Sequence, residues 1–437
     1  MSFQQSTVTL GNDRLTTEPD DMYEASGHIF DCTCKFSPQK KIVQKEEAGP
    51  LGKAIYKYSY DGAGRLEQVI RNSTLLEQYS YDEEGRRIED FRASHGYRQF
   101  IYQYDGALIR INDAYIDWSP QGRLAAIYAN NTRVEYEYGN DTRLDRVFLP
   151  SGTVIQYEYG NSLMPVKVLD SYESVLEYEW KDYIKLQYCI DHKEGISYSF
   201  SYGETRIPQF VMLKGPVNVI HRLTGHFVSS IRLRIWVDQV GSIRVLSTEN
   251  GTVVKCLEYD AFGNVTHETR PEWSFPLGFA GGLHDVYTGF IRFGFRDYDP
   301  QVGRFTAKDP LGYTGGDNDL WEYCVDDPIS KIDPFGLEDR SLWERILAGY
   351  SPLLFGNEEE QRQARQRLHN SLKKEADALA GGYVEMLTIV PKKIPTSLGG
   401  WIIDNATSIG PEGGAGDEIR KSFIKSRHNA TSAHPKK

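Results

Sequence analysis

Pairs of aromatic residues two positions apart recur along this chain about every 20 residues, the period of stacked supersecondary units, and in the closest copies an Asp-x-x-Gly turn signal follows the pair. Tyr58-Ser59-Tyr60-Asp61-Gly62-Ala63-Gly64-Arg65-Leu66 returns as Tyr79-Ser80-Tyr81-Asp82-Glu83-Glu84-Gly85-Arg86-Arg87-Ile88. Looser copies include Tyr102-Gln103-Tyr104, Trp118 to Leu124, Tyr136-Glu137-Tyr138, Tyr157-Glu158-Tyr159, Tyr178-Glu179-Trp180 and Tyr198 to Tyr202. Side chains at i and i+2 share one face of a strand, so each copy places two rings together. The Asp then accepts local backbone hydrogen bonds and the Gly takes positive φ, which turns the chain back. A single hairpin of this kind is marginal, so successive hairpins must pair edge to edge. The expectation is a mainly β protein, with an antiparallel ribbon over residues 51–270 behind a polar lead-in of a few short strands over 1–50.

Tyr outnumbers Phe 28 to 19, which suits a core of rings carrying polar handles. The formal charge of -11 argues against nucleic acid or an anionic membrane as partner of the ribbon. No apolar run is long enough to span a bilayer as a helix, and the opening MSFQQSTVTL lacks the order of a cleaved secretory signal. Cys32, Cys34, Cys189, Cys256 and Cys324 are scattered and odd in number, which reads as reduced thiols rather than a disulfide framework. Cys32 and Cys34 have no second Cys or His pair at a zinc-like spacing, so no metal and no other cofactor is expected.

After an irregular stretch over 205–250, Glu258-Tyr259-Asp260-Ala261-Phe262-Gly263-Asn264 restores the repeat, and a denser block follows within residues 271–337. It contains Phe279-Ala280-Gly281, Arg296-Asp297-Tyr298-Asp299-Pro300, Gly303-Arg304-Phe305, Asp309-Pro310-Leu311-Gly312 and Pro328 to Leu337, which ends in Asp333-Pro334-Phe335-Gly336-Leu337. The repeats resemble the YD repeats of bacterial Rhs proteins, of Tc-toxin C components and of teneurins, and the block resembles the Rhs repeat-associated core along nearly its whole length. The resemblance implies a partial or complete β-shell whose inward-coiled core plugs one end. It also implies an aspartate-dependent self-cleaving site that cuts between Leu337 and Glu338, with Asp309 and Asp333 as the catalytic pair and Arg304 in support. Two carboxylates suit metal-free peptide hydrolysis, because a pair that cannot both ionise divides into a base and an acid. Each Asp-Pro-x-Gly segment is also a good turn, which is the architectural alternative. His284 stands beside Asp285 with no matching nucleophile motif and reads as a packing histidine.

Residues 338–437 change to helix formers and form the variable C-terminal segment, the cargo that the resemblance implies. Asn357 is placed to cap a helix carrying Ala364, Leu368, Leu372, Ala376 and Leu379 on one stripe, ending at Gly381-Gly382. The run Tyr383 to Ile403 is broken by Pro391 and Pro395, Gly413 to Gly416 reads as a linker, and the last residues are mildly basic. The family context implies bacterial cytoplasm before export, secretion without a cleaved N-terminal signal, secretion machinery and a cognate immunity protein as partners, and use in competition or host attack. The repeats are fewer than the family's shells use and no delivery domain precedes them, which points to an open, partial shell or a shortened element. Two other readings stand beside this one: a non-enzymatic carbohydrate- or protein-binding module, and a truncated remnant.

Overall fold

A computed structural model describes residues 7–10, 29–39, 41–139, 142–160, 162–181, 184–203, 205–310, 312 and 319–337. The helix expected from Asn357, the cargo segment and Glu338 lie outside the described residues, as does much of the lead-in.

Within them, 23 strands form one sheet from Thr7–Leu10 to Val265–Glu268. Each strand pairs antiparallel with the next in sequence, so the sheet is a continuous meander. The stretch over 205–250 interrupts the aromatic period but keeps pairing, and it contains the helix Val217–Thr224 closed by Gly225. Strands Asp31–Phe36 and Ile42–Gly49 are full members of the sheet.

The repeat chemistry is visible atom by atom. Asp61 Oδ1 accepts the N–H groups of Ala63 and Arg65 at 3.0 and 2.9 Å, Arg65 Nε donates to Asp61 Oδ2 at 2.7 Å, and Gly64 takes φ +85°. Asp82 and Arg86 repeat the arrangement. The first ring of each pair faces inward and is buried, as at Tyr58, Tyr79, Tyr157 and Tyr198. The second sits where the register slips by one residue, at Tyr60, Tyr81, Trp118, Tyr138, Trp180 and Tyr202; in the third copy the slip falls at Tyr102, so the inward pair there is Phe100 and Tyr102 rather than Tyr102 and Tyr104, and Tyr104 lies exposed in the turn. Such a bulge re-aims the side chain along the ribbon.

That re-aiming lets the second ring reach back one repeat. Tyr81 Oη donates to Leu66 O at 2.7 Å, Tyr102 to Arg87 O at 2.8 Å and Tyr202 to Leu186 O at 2.7 Å, and Tyr159, just past a strand whose pairing does not slip, makes the same bond to Leu144 O at 2.8 Å. Trp118 and Trp180 do the same with Nε1, to Leu108 O and Pro165 O. The turn arginine then covers the ring of the following repeat: Arg65 lies 4.4 Å from the Tyr81 centroid and Arg143 5.1 Å from that of Tyr159. Each such bond contributes about 1 kcal/mol net.

Among the described residues no hydrogen-bonded pairing joins the first strands to the last, so the sheet is not closed by its ladder. Side chains meet across that gap instead. Arg244 binds both oxygens of Glu47 at 2.5 and 3.0 Å, and Arg71 pairs with Glu258 at 2.8 Å. One buried cluster holds Phe30, Tyr56 and Tyr58 together with Trp236, Val245 and Cys256.

Residues 273–337 cover the ring-bearing face, with a four-stranded antiparallel sheet from Leu283–His284 to Arg304–Phe305 at their centre. Ribbon rings pack directly on core rings: Tyr136 stacks on Phe290 with centroids 5.6 Å apart, while Tyr198 meets Phe275 at 6.1 Å and Trp118 meets Trp321 at 5.3 Å edge to face. Turn glycines make room for the contact. A Cβ on Gly122, at φ +74°, would collide with the Lys308 stem.

Candidate functional site

Arg296 begins the strand Arg296–Asp299, directly opposite Phe293 across a turn in which Gly294 takes φ +47°. Its side chain is 2% exposed. The guanidinium lies 3.7 Å over the Phe305 ring and gathers four partners. Nη2 is 2.9 Å from Asp309 Oδ2 and 3.5 Å from Asp333 Oδ2, Nε donates to Gly336 O at 2.6 Å, and Nη1 donates to Leu320 O at 3.1 Å.

Both aspartates also act as turn residues. Gly312 N–H donates to Asp309 O at 3.0 Å and Gly336 N–H to Asp333 O at 3.4 Å. Asp333, 3% exposed, further accepts the Leu337 N–H on Oδ1 at 3.2 Å. Gly336 takes φ +64°, and a Cβ there would stand 2.5 Å from Phe293 O, so only glycine lets this segment lie against the core strand. Phe295 N–H donates to Phe335 O at 2.8 Å and fixes the same segment from its other side.

The two motif aspartates therefore converge on one buried guanidinium, which also polarises a carbonyl one peptide unit before the Leu337 carbonyl. Two carboxylates alone would force one to keep a proton. A guanidinium between them offsets that repulsion. The arrangement is a carboxylate, guanidinium and carboxylate set rather than an isolated acid pair.

Arg304 stands elsewhere in the block. Its Nη2 meets Asp319 Oδ1 at 2.5 Å and its guanidinium lies 5.2 Å from the Tyr102 centroid, tying core to ribbon. Close by, burial holds the Asp326 carboxyl up at about 6, against the pull of Arg87 and Arg304. Asp326 ends a run of three left-handed residues, Cys324 at φ 57°, Val325 at 53° and Asp326 at 48°, a conformation that L-residues rarely adopt in succession. His284 is largely buried, and burial pushes its pKa down. All five cysteines are free and buried. Among the described residues no group of three or more His, Cys, Asp or Glu side chains is placed to hold a metal.

Arg296 was the residue missed by reading the sequence. It stands in the Arg-Asp-Tyr-Asp-Pro motif, and a charged residue two positions from Tyr298 on a core strand was the available signal.

The family model for the teneurin YD-shell matches residues 226–318. Teneurin-3 of Danio rerio is 35% identical over 100 residues, covering 22% of this chain and 4% of its own length. Double-stranded DNA deaminase toxin A of Burkholderia cenocepacia (strain H111) is 38% identical over 104 residues, covering 23% of this chain and 7% of its own. The chain thus spans a small fraction of these relatives. Among solved structures, the TcdB2-TccC3-TEV crystal structure aligns with 71% of this chain and 18% of that one, at 15% identity and a TM-score of 0.39.

Proposed function

We propose, from the premise that the chain is a YD-repeat protein related to the Rhs family, that its scaffold cuts itself once between Leu337 and Glu338 and so frees residues 338–437. The observation that carries the reading is the meeting of Asp309 and Asp333 on Arg296, which also holds the Gly336 carbonyl. Water adds its oxygen to the Leu337 carbonyl carbon while a carboxylate takes the proton. The bond to the Glu338 nitrogen then breaks and that nitrogen leaves with the proton. Asp333, bonded to the Leu337 N–H, orients the segment, and Asp309 approaches from a separate part of the chain. Holding the reacting groups in one chain lowers the barrier by up to about 7–11 kcal/mol. One turnover suffices.

In this reading the freed segment serves bacterial competition or host attack, which requires an export route and an immunity partner in the producing cell. Because residues 273–337 occupy the ring-bearing face described above, scission of the covalent link is the step that counts. Intact-mass analysis with N-terminal sequencing tests it. Wild type yields a fragment beginning at Glu338, and Asp309→Asn and Asp333→Asn each leave the chain whole. A wild-type chain that stays whole favours the second reading, in which both Asp-Pro-x-Gly segments are turns of a binding module, as the Gly312 and Gly336 hydrogen bonds allow.

A further inference from the structure

The three side chains of the candidate site are delivered by segments that rest on three different parts of the ribbon. The Asp309 segment is fastened to the repeat at Trp118 to Leu124. Lys308 N–H donates to Gly122 O at 3.1 Å, Leu124 N–H to Thr306 O at 2.8 Å and Trp321 Nε1 to Gly122 O at 3.0 Å. The approach to Asp333 is fastened to the opening strands. Lys41 Nζ meets Asp327 Oδ2 at 2.7 Å, Ile42 N–H donates to Ser330 Oγ at 3.0 Å, and the Tyr60 hydroxyl lies 3.3 Å from the same Oγ. Beside Arg296, Phe295 O accepts from Thr142 Oγ1 at 2.6 Å. Within residues 319–337, the left-handed turn over Cys324 to Asp326 joins the Trp321 contact to the Asp327 contact.

The two carboxylates meet on Arg296 in a structure where the segments that deliver them are each fastened to a different part of the ribbon. We infer that curling of the ribbon licenses the cut: the opening strands, through Lys41 and Asp327, act on the site as a completion signal. This deepens the self-cleavage reading above and rests on it. It names the regulator of the site as the chain's own first strands rather than a separate protein. The physical basis is that misplacing a reacting group by about 1 Å costs on the order of a hundredfold in rate. Lys41 is a positioning residue here. It touches neither carboxylate of the site, and its side chain is 21% exposed against 1% for Asp327.

The test uses full-length chain made by pulse-labelled cell-free translation, with the 437-residue precursor followed over time. Lys41→Gln removes the charge and shortens the side chain, and it slows the cut on the order of tenfold. Lys41→Arg keeps the ion pair and cuts at close to the wild-type rate. Rates are compared at equal fraction folded, set from thermal melts, so that lost stability does not pass for lost positioning. A Lys41→Gln chain that cuts at the wild-type rate overturns the inference while leaving self-cleavage intact. A wild-type chain that never cuts removes the cleavage reading itself.

Discussion

Glu77 offers a quantitative test of how the ribbon grips its core. It is 4% exposed, accepts the Tyr79 hydroxyl and takes the Ala261 N–H at 3.1 and 3.2 Å. Burial first, and the Asp260 carboxylate second, push its pKa up to about 7. A folded pKa raised above the unfolded value means that the native chain holds a proton the unfolded chain has released. Stability contributed by this group is therefore full below the ordinary carboxylate range and is lost as pH rises to about 7. The size of the loss follows from the shift, about 3 kcal/mol. Glu77→Gln cannot ionise. It gives up part of the hydrogen bonding, about 1 kcal/mol, at every pH. Urea midpoints by tryptophan fluorescence should then show the variant weaker than wild type at pH 5 and stronger at pH 8.5. Asp326 titrates in the same direction in both chains and cancels in the difference. Parallel midpoint curves across that range would refute the argument and mean that Glu77 stays charged in the fold.

Three further outcomes are expected. Tyr81→Phe removes the donor to Leu66 O and costs about 1–3 kcal/mol in urea unfolding, whereas Tyr115→Phe, at a residue 55% exposed, changes the unfolding free energy by less than about 0.5 kcal/mol. Gly294→Ala places a Cβ 2.6 Å from Phe335 O at φ +47°, so it should both destabilise the fold and abolish the mass shift of self-cleavage. Val325→Gly relieves a β-branched residue at φ 53° and should raise the unfolding free energy by about 1 kcal/mol after the entropy of glycine is counted, and a lower urea midpoint would show that the valine packs too well to lose.

The ribbon was legible because its rule is local. Tyr58 and Tyr60 share a face by strand geometry, and Asp61 with Gly64 closes a turn by its own side-chain chemistry. The bulge at each second ring was not legible, since it depends on the register with the neighbouring strand, and with it went the bond from one repeat to the carbonyl of the one before. The helix Val217–Thr224 was hidden for a related reason: the aromatic period lapses there while strand pairing continues on both sides. At the site, the resemblance to the Rhs core is what points to Asp309 and Asp333, and the structure brings both to one guanidinium. Arg296 and Arg304 both stand in short motifs of the same block, and only contacts far apart in sequence distinguish them, Asp309 and Asp333 for Arg296 and Asp319 for Arg304.

The ring that reaches back one repeat has a mechanical consequence. Units fastened only to their neighbours make a zipper: pulled from an end, it parts one tooth at a time, and no tooth strengthens another farther along. Residues 273–337 change this by lacing together teeth that are remote along the zipper, from Lys41 through Gly122 to Tyr198. Force or heat applied at one end then meets the resistance of the whole laced body. Without the lacing only the contacts across the gap, such as Arg244 with Glu47 and Arg71 with Glu258, would oppose stepwise parting, so the segment that carries the candidate cut also helps the ribbon behave as one object.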